Sequence, residues 1–67
     1  MLQPDEMILD LVQAGISEQE IAYAIKVSQP TVNRIKKGII TNPRFQIYVA
    51  LTNYHRKHKR RIARLVA

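Results

Sequence analysis

Cysteine is absent from this sequence, which excludes disulfide bonds and any metal site built from thiolates. The chain is also short, and its 67 residues are near the size at which one hydrophobic core is just sufficient for stability. We therefore predict a single domain over residues 1–67. Because no covalent crosslink adds stability, association of two copies would be a further source of it.

Long hydrophobic runs and the features of a signal peptide are absent as well. No stretch is apolar over the roughly 20 residues that a membrane helix needs. No basic segment followed by an apolar one opens the sequence, as a secretory signal would require. We therefore expect a cytoplasmic protein that does not interact with membranes.

The patterns that usually carry catalysis are also missing. The sequence has neither a glycine-rich phosphate loop nor a nucleophile–base signature. His55 and His58 have a spacing that could hold a metal, but no aspartate, glutamate or cysteine follows residue 20 to complete the site in sequence. We expect no catalytic residues, no metal, no cofactor and no small-molecule ligand, so the protein is predicted not to be an enzyme.

Acidic residues are confined to one end of the chain. All five lie within residues 1–20, whereas all eleven lysines and arginines lie from Lys26 onward, which gives a formal net charge of +6. A basic region separated in this way from the acids is typical of a surface that binds a polyanion. The charge distribution therefore favours a nucleic acid as the partner.

Caps and apolar spacing predict an all-α fold of four or five helices. Pro4 suits the first position of a helix, and the two acidic residues after it favour the positive end of the helix dipole. Gly15 would end this helix near Ala14, because glycine adopts the left-handed conformation without a steric cost. The first helix is therefore predicted over Pro4 to Ala14.

Two short helices are predicted next, over residues 17–38. Ser17 and Glu20 have the spacing of a capping box, in which each side chain bonds the backbone N–H of the other residue. This second helix should end near Lys26. Ser28 would then cap a third helix, and Gly38 would end it.

A fourth helix is predicted to start at Asn42 and Pro43, which repeat the cap-then-proline signature. It is apolar on two faces, and a domain of this size has little room to bury both. Either the packed helices enclose both faces, or one face and the preceding loop form a self-association surface. The residues that we assign to such a dimer interface are Ile39, Ile40, Ile47, Leu51 and Tyr54.

The last part of the chain is strongly basic. A helix is predicted over about residues 55–66, either continuous with helix 4 or separated from it near Asn53. Its bases could flank DNA, bind RNA, lie on an anionic membrane or simply be solvated, and we favour a supporting DNA contact. These bases are Arg56, Lys57, Lys59, Arg60, Arg61 and Arg64, beside a sparse apolar stripe of Ile62, Leu65 and Val66.

The apolar positions of helices 2 and 3 can be compared with a known family. They are Ile21, Ala22, Ile25, Val27, Val32 and Ile35, with Gly38 and Pro43 following. Together with the Ser28-Gln29 opening of helix 3, this pattern resembles the helix-turn-helix of the Cro and phage-repressor class, the XRE-type regulators. The resemblance covers residues 17–43 well and helix 1 loosely, and it implies a compact lambda-repressor-like helix-turn-helix domain.

Two positions depart from the family pattern. Lys26 stands where the family usually has glycine, so the turn is either mildly strained by a positive φ or slightly different in shape. Glu18 stands where the family often has a glutamine that touches a phosphate, and its carboxylate would repel one. Gln19 could make that phosphate contact instead.

The resemblance makes residues 29–37 the recognition helix, whose N-terminal turn would point at base edges in the major groove. Gln29 can make two hydrogen bonds with adenine, and Arg34 can donate two hydrogen bonds to guanine. Asn33 can bond adenine as glutamine does, but with a shorter side chain. Pro30 offers an apolar surface to a thymine methyl group. Contacts to the DNA backbone are predicted for Gln19, Ser28, Thr31, Lys36, Lys37, Asn42 and Arg44.

The sequence thus predicts a Cro-like repressor that binds a pseudo-palindromic operator in double-stranded DNA as a homodimer. Its action without a cofactor and its origin in a phage-infected bacterial cell are what the resemblance implies. Three alternatives stay open. They are a basic RNA-binding protein that uses the C-terminal helix, an antitoxin-type module that binds DNA and a protein, and a recombination accessory protein.

Overall fold

The computed structural model describes residues 2–66, and the side chains of residues 2–64, as an all-α fold. The helices are α1 (Pro4–Gln13), α2 (Glu18–Ile25), α3 (Gln29–Lys36), α4 (Phe45–Lys57) and α5 (Lys59–Val66). The predicted all-α class is confirmed. Within this part of the chain, every helix is too short or too polar to cross a membrane.

The N-terminal helix forms as its sequence predicts. Pro4 occupies the first turn of α1, with the two acidic residues after it. At the other end, Gly15 adopts a φ of 89°, and the N–H of Ile16 donates to the carbonyl of Leu11 at 3.0 Å. Ile16 is only 1% exposed, because this turn folds it back into the core.

The core lies where four helices meet. α1 and α2 each pack against both α3 and α4, whereas α5 contacts α1 and α4. The buried cluster consists of Met7, Ile8, Leu11, Ile16, Ile21, Ala22, Ile25, Val32, Ile35 and Leu51. The apolar residues of the first three helices therefore form one continuous core together with Ile16 and with Leu51 of α4.

The start of the fourth helix was predicted too early. α4 begins at Phe45 rather than at Asn42, and Arg44 precedes it without a side-chain cap. Ile40 packs partly buried against the core, and residues 41–44 after it lie outside any helix. The first helical hydrogen bond of α4 runs from the N–H of Tyr48 to the carbonyl of Arg44 at 3.0 Å, so the cap-then-proline pair lies in the preceding loop.

The fourth and fifth helices are separate, and the break falls at His58 rather than near Asn53. The ring of His58 donates from Nδ1 to the carbonyl of Tyr54 at 2.9 Å. Beyond this break Ile62 packs partly buried against the core, which anchors α5. The side chains of Leu65 and Val66, the other members of the predicted stripe, lie outside the described part of the chain.

A polar contact also ties the fourth helix to the first. His55 Nε2 lies 2.9 Å from Asp10 Oδ2, and both side chains are partly buried. An acid from the N-terminal end of the chain thus pairs with a histidine that is 45 residues away. In the described residues no group of three or more acidic or histidine side chains could hold a metal ion.

Candidate nucleic-acid interface

The third helix is held in the fold by one face. Val32 and Ile35 are fully buried, and the helix packs against α1 and α2. Ala22 of α2 is also buried at 5% exposure, and its small side chain lets α3 approach closely. The orientation of α3 is therefore fixed by the core, and its polar face is left at the surface.

The turn into α3 contains the one non-glycine residue with a positive φ in the described chain. Lys26 adopts φ 60° and ψ 47°, and the N–H of Val27 donates to the carbonyl of Ala22 at 3.0 Å. This is the bond by which a helix commonly ends at a left-handed glycine. Of the two alternatives for Lys26, the strained turn is therefore the correct one, at a cost of roughly 1 kcal/mol.

Both short helices begin at a serine cap. Ser17 Oγ accepts from the N–H of Glu20 at 3.1 Å, which is one of the two bonds of the predicted capping box. Ser28 Oγ accepts from the N–H of Thr31 at 3.3 Å and also lies 2.8 Å from the Thr31 hydroxyl. The predicted cap at Ser28 is confirmed, and it fixes where the surface of α3 begins.

The four candidate base-contacting residues lie along one open groove. Gln29, Pro30 and Arg34 are exposed, and Asn33 is partly buried beside them. The groove has a volume of about 450 Å³, and Glu18 of α2 completes its lining. Side chains that can bond base edges are thus grouped on the free face of α3, with a carboxylate at its margin.

Glu18 makes contacts that the sequence did not reveal. Its carboxylate accepts from Lys36 Nζ at 2.7 Å and from Asn33 Nδ2 at 3.2 Å. Both hydrogen bonds lower the pKa of Glu18 below its ordinary value, and the bond from Lys36 has the larger effect. Two of the predicted DNA contacts, Asn33 and Lys36, are therefore bonded to an ionised carboxylate within the protein.

This pairing could not be found by pattern, because Glu18 is separated from its partners by 15 and 18 residues. The only sequence signal was an acid where the resembled family has glutamine. That signal predicted repulsion of a phosphate. It did not predict that the carboxylate would bridge α2 and α3.

The candidate phosphate-contacting residues are not all in one place. Lys37 is exposed directly after α3, and Gln19 is exposed on α2, where it lines a different groove with Tyr23 and Tyr54. Asn42 lies in a pocket beside the start of α1, and Arg44 is exposed just before α4. Of the candidate phosphate contacts, Ser28, Thr31, Lys36 and Lys37 belong to α3 or its two ends, whereas Gln19, Asn42 and Arg44 lie on other parts of the chain.

The prediction that Leu51 lies in a dimer interface is wrong. Leu51 is fully buried in the core, because the α4 face that carries it packs against α1 and α2. Ile40, Ile47 and Tyr54 are partly buried against the same core, and only Ile39, at 69% exposure, is free at the surface. Most of the residues predicted for the dimer interface therefore pack against the core.

The other apolar face of α4 is the more exposed one, although its Tyr48 packs partly buried against the core. Phe45 is 78% exposed and Val49 is 38% exposed, one helical turn apart. From sequence the two faces of α4 looked equivalent. The packing of α1 and α2 decides which one is buried.

The basic C-terminal residues form a second charged surface. All six are exposed, at the end of α4 and along α5: Arg56, Lys57, Lys59, Arg60, Arg61 and Arg64. The guanidinium of Arg61 reaches back to Gly15, where a Cβ would lie 3.3 Å from Nη2. The protein therefore has two basic surfaces, one on α3 and one on α5.

Comparison of the chain with protein-family models, with curated proteins and with solved structures found no match. The interpretation of the α3 and α5 surfaces therefore depends on their own geometry and chemistry.

Proposed function

We propose that this protein is a sequence-specific regulator that binds double-stranded DNA, of the Cro and phage-repressor (XRE) type, with α3 as its recognition helix. The observation that carries the proposal is the division of α3 into two faces. Val32 and Ile35 are fully buried, while Gln29 and Arg34 are exposed along one groove with Pro30. A helix held in this way presents its polar side chains in a fixed arrangement.

The chemistry of the exposed face suits the major groove, whose width of about 12 Å admits an α-helix. The amide of Gln29 can accept from adenine N6 and donate to adenine N7. The guanidinium of Arg34 can donate two parallel bonds to guanine O6 and N7. Pro30 can contact a thymine methyl group. These contacts would provide the sequence selectivity.

Contacts with the phosphates would provide most of the affinity. Lys37 lies exposed at the end of α3, and the hydroxyls of Ser28 and Thr31 lie at its start. Arg44 and the bases of α5 add positive charge farther away. Such contacts set the position on the duplex and the salt dependence without reading the sequence.

A homodimer is part of the proposal. Two-fold pairing would place the two recognition helices about 34 Å apart, on successive turns of the major groove. One copy is 31 Å long in its longest dimension, so two copies in contact are large enough for this spacing. Exposed Ile39, Phe45 and Val49 supply apolar surface for the pairing.

In this proposal the protein acts in the cytoplasm of a bacterial cell, is phage-encoded and occludes a promoter without a cofactor. The origin and the mode of regulation come from the family resemblance. The base-reading surface does not depend on them.

The deciding experiment is selection from a pool of randomised duplexes by the full chain. We expect enrichment of a pseudo-palindromic sequence whose half-sites are centred about 10 base pairs apart. An asymmetric consensus would contradict the dimer but retain base reading by α3. A pool that stays random through successive rounds would overturn the proposed function.

A second candidate function is RNA binding by α5, which the six exposed bases at the end of the chain favour. Charge reversal at Arg60 and Arg64 separates the two. If α5 binds RNA, this double variant should lose binding to structured RNA, and Gln29→Ala should leave that binding unchanged. If α3 reads DNA, the double variant should keep the selected consensus.

A further inference from the structure

We propose that Glu18 is a positioning residue for base reading: it fixes the orientation of the Asn33 amide and withholds the Lys36 ammonium from the DNA phosphates. The inference rests on the proposed function of α3 as a recognition helix. It adds a determinant of specificity that lies on α2, outside the set of base-contacting residues on α3.

The orientation of Asn33 follows from hydrogen-bond chemistry. An ionised carboxylate has acceptors only, so the Asn33 group that meets Glu18 at 3.2 Å must be the NH2 and cannot be the carbonyl. The pKa of Glu18 lies below its ordinary value of 4.5, so its carboxylate is ionised at neutral pH. The opposite orientation would place two acceptors against each other. Asn33 Oδ1 is therefore directed away from Glu18.

The base that this orientation favours can be named by its chemistry. In the major groove adenine and cytosine each present an amino donor, whereas guanine O6 and thymine O4 are acceptors. An outward Asn33 Oδ1 accepts from the amino group and is repelled by the carbonyl oxygens. Glu18 thus favours adenine or cytosine at the position that Asn33 Oδ1 faces, and the second N–H of the Asn33 amide keeps its capacity to donate.

The second effect concerns Lys36. Its ammonium lies 2.7 Å from the Glu18 carboxylate, and the two side chains are only 25% and 19% exposed. Lys37, the next residue, is exposed. Of these two adjacent lysines, only Lys37 is therefore free to contact a phosphate. Lys36 instead connects the end of α3 to the start of α2.

The position of Glu18 lets it orient Asn33 and pair with Lys36 at the same time. It is the first residue of α2, directly after the Ser17 cap, and it lines the same groove as Gln29 and Arg34. Its carboxylate spans from Asn33 in the middle of α3 to Lys36 at the end of that helix. One side chain thus holds two positions on the base-reading helix.

The test uses Glu18→Gln with Glu20→Gln as a matched control. Both variants remove one negative charge from the first turn of α2, and Glu20 is exposed away from the α3 groove. A glutamine at position 18 can donate as well as accept, so it no longer imposes one orientation on Asn33. Each variant is measured on the duplex selected by the unsubstituted chain, and each is also given its own selection.

Two differences between the variants are expected. Glu18→Gln should steepen the dependence of log K on log salt concentration by about one more unit than Glu20→Gln does, because Lys36 gains a phosphate contact. It should also relax the preference for adenine or cytosine at one base pair of the half-site. Glu20→Gln should keep that preference.

A further variant assigns the relaxed position to Asn33. In an Asn33→Ala background the preference is already lost, so adding Glu18→Gln should change nothing more at that base pair. Circular dichroism and thermal unfolding of each variant establish that it is folded. In the free protein, acid titration of Glu18 should shift the side-chain amide resonances of Asn33, and Glu20→Gln should leave that shift intact.

The inference is overturned if the unsubstituted chain selects a consensus while Glu18→Gln and Glu20→Gln have the same salt slope and the same base preferences. It is also overturned if the Asn33 amide resonances do not respond to Glu18. A chain that selects no sequence would overturn the proposed function and, with it, the role of Glu18 in base reading. The first outcome leaves the recognition helix standing, so the two failures are distinguishable.

Discussion

The α3 and α5 helices both present basic side chains to the surface, but the fold holds them very differently. α3 is anchored by Val32 and Ile35, both fully buried, and by the Glu18 carboxylate. Of the described side chains of α5, Ile62 is the one that packs against the core, and it is only partly buried. A fixed surface can present side chains at set distances from one another, as base reading requires.

The difference separates two kinds of nucleic-acid contact. Reading a base edge needs donors and acceptors in fixed positions, whereas attraction to phosphates needs only positive charge nearby. The groove of α3 combines amide, guanidinium and carboxylate groups, while α5 offers charge of one sign. We therefore propose that α3 provides sequence selectivity and that α5 provides supporting electrostatic contacts.

The largest expected effect concerns anchoring. Ile35→Ala should lower the free energy of unfolding by about 2–5 kcal/mol, because it leaves a cavity in the core. Ile62→Ala should cost about 1 kcal/mol, since that side chain is already partly solvated. Urea denaturation followed by circular dichroism measures both. Equal losses would mean that α5 is held as firmly as α3.

Binding should show the next largest effect. Arg34→Ala should weaken binding to the selected duplex by about 1–3 kcal/mol and abolish discrimination at one base pair. Arg60→Ala removes the same charge from α5 and should weaken specific and random DNA alike, with a shallower salt slope. Fluorescence anisotropy on both duplexes compares the two variants. If Arg34→Ala weakened binding to both duplexes equally, α3 would not read bases.

The turn before α3 should give a smaller change, in stability. Lys26→Gly should raise the free energy of unfolding by about 1 kcal/mol, because glycine adopts the left-handed conformation of Lys26 at no steric cost. Gly38→Ala, after α3, should lower it by a similar amount. Gly38 has a φ of 79° and open space around its Cβ position, so only the backbone is strained there. Thermal unfolding should show opposite signs for the two variants.

The smallest effect is the pH dependence of the Glu18 contacts. Because these contacts lower the pKa of Glu18 in the folded state, their contribution is complete above its ordinary pKa of 4.5 and is lost as the pH falls through the folded value. For a partly exposed pair we expect less than about 1 kcal/mol. Unfolding at pH 7 and at pH 3 should show a smaller pH difference for Glu18→Gln than for Glu20→Gln.

Much of the fold was readable from local sequence because local interactions form it. Pro4, Gly15, Ser28 and Gly38 each act within one turn of a helix, and each was identified from its type and spacing. The start of α4 was misplaced because the cap-then-proline pair, Asn42 and Pro43, lies in the loop between Ile40 and the first residue of the helix, Phe45. Local rules do not contain that information.

The candidate site divides in the same way. The exposed face with Gln29, Pro30 and Arg34 follows from the helical period, since Val32 and Ile35 must face inward. The inward face of α4 did not follow, because Leu51 and Phe45 lie on apolar stripes that look equivalent in sequence. Contact with α1 and α2 is what buries Leu51 and leaves Phe45 in solvent.

By itself, the sequence determined the all-α class, the first three helices, the separation of acids from bases and the polar residues that α3 can offer to a ligand. Those properties depend on residue type and on spacing over a few residues. The tertiary structure alone decided which face of α4 is free, and it joined Glu18 to Asn33 and Lys36. Side chains that far apart in sequence meet only when α2 and α3 pack together, so only the folded chain could show that one carboxylate on α2 contacts two side chains of α3.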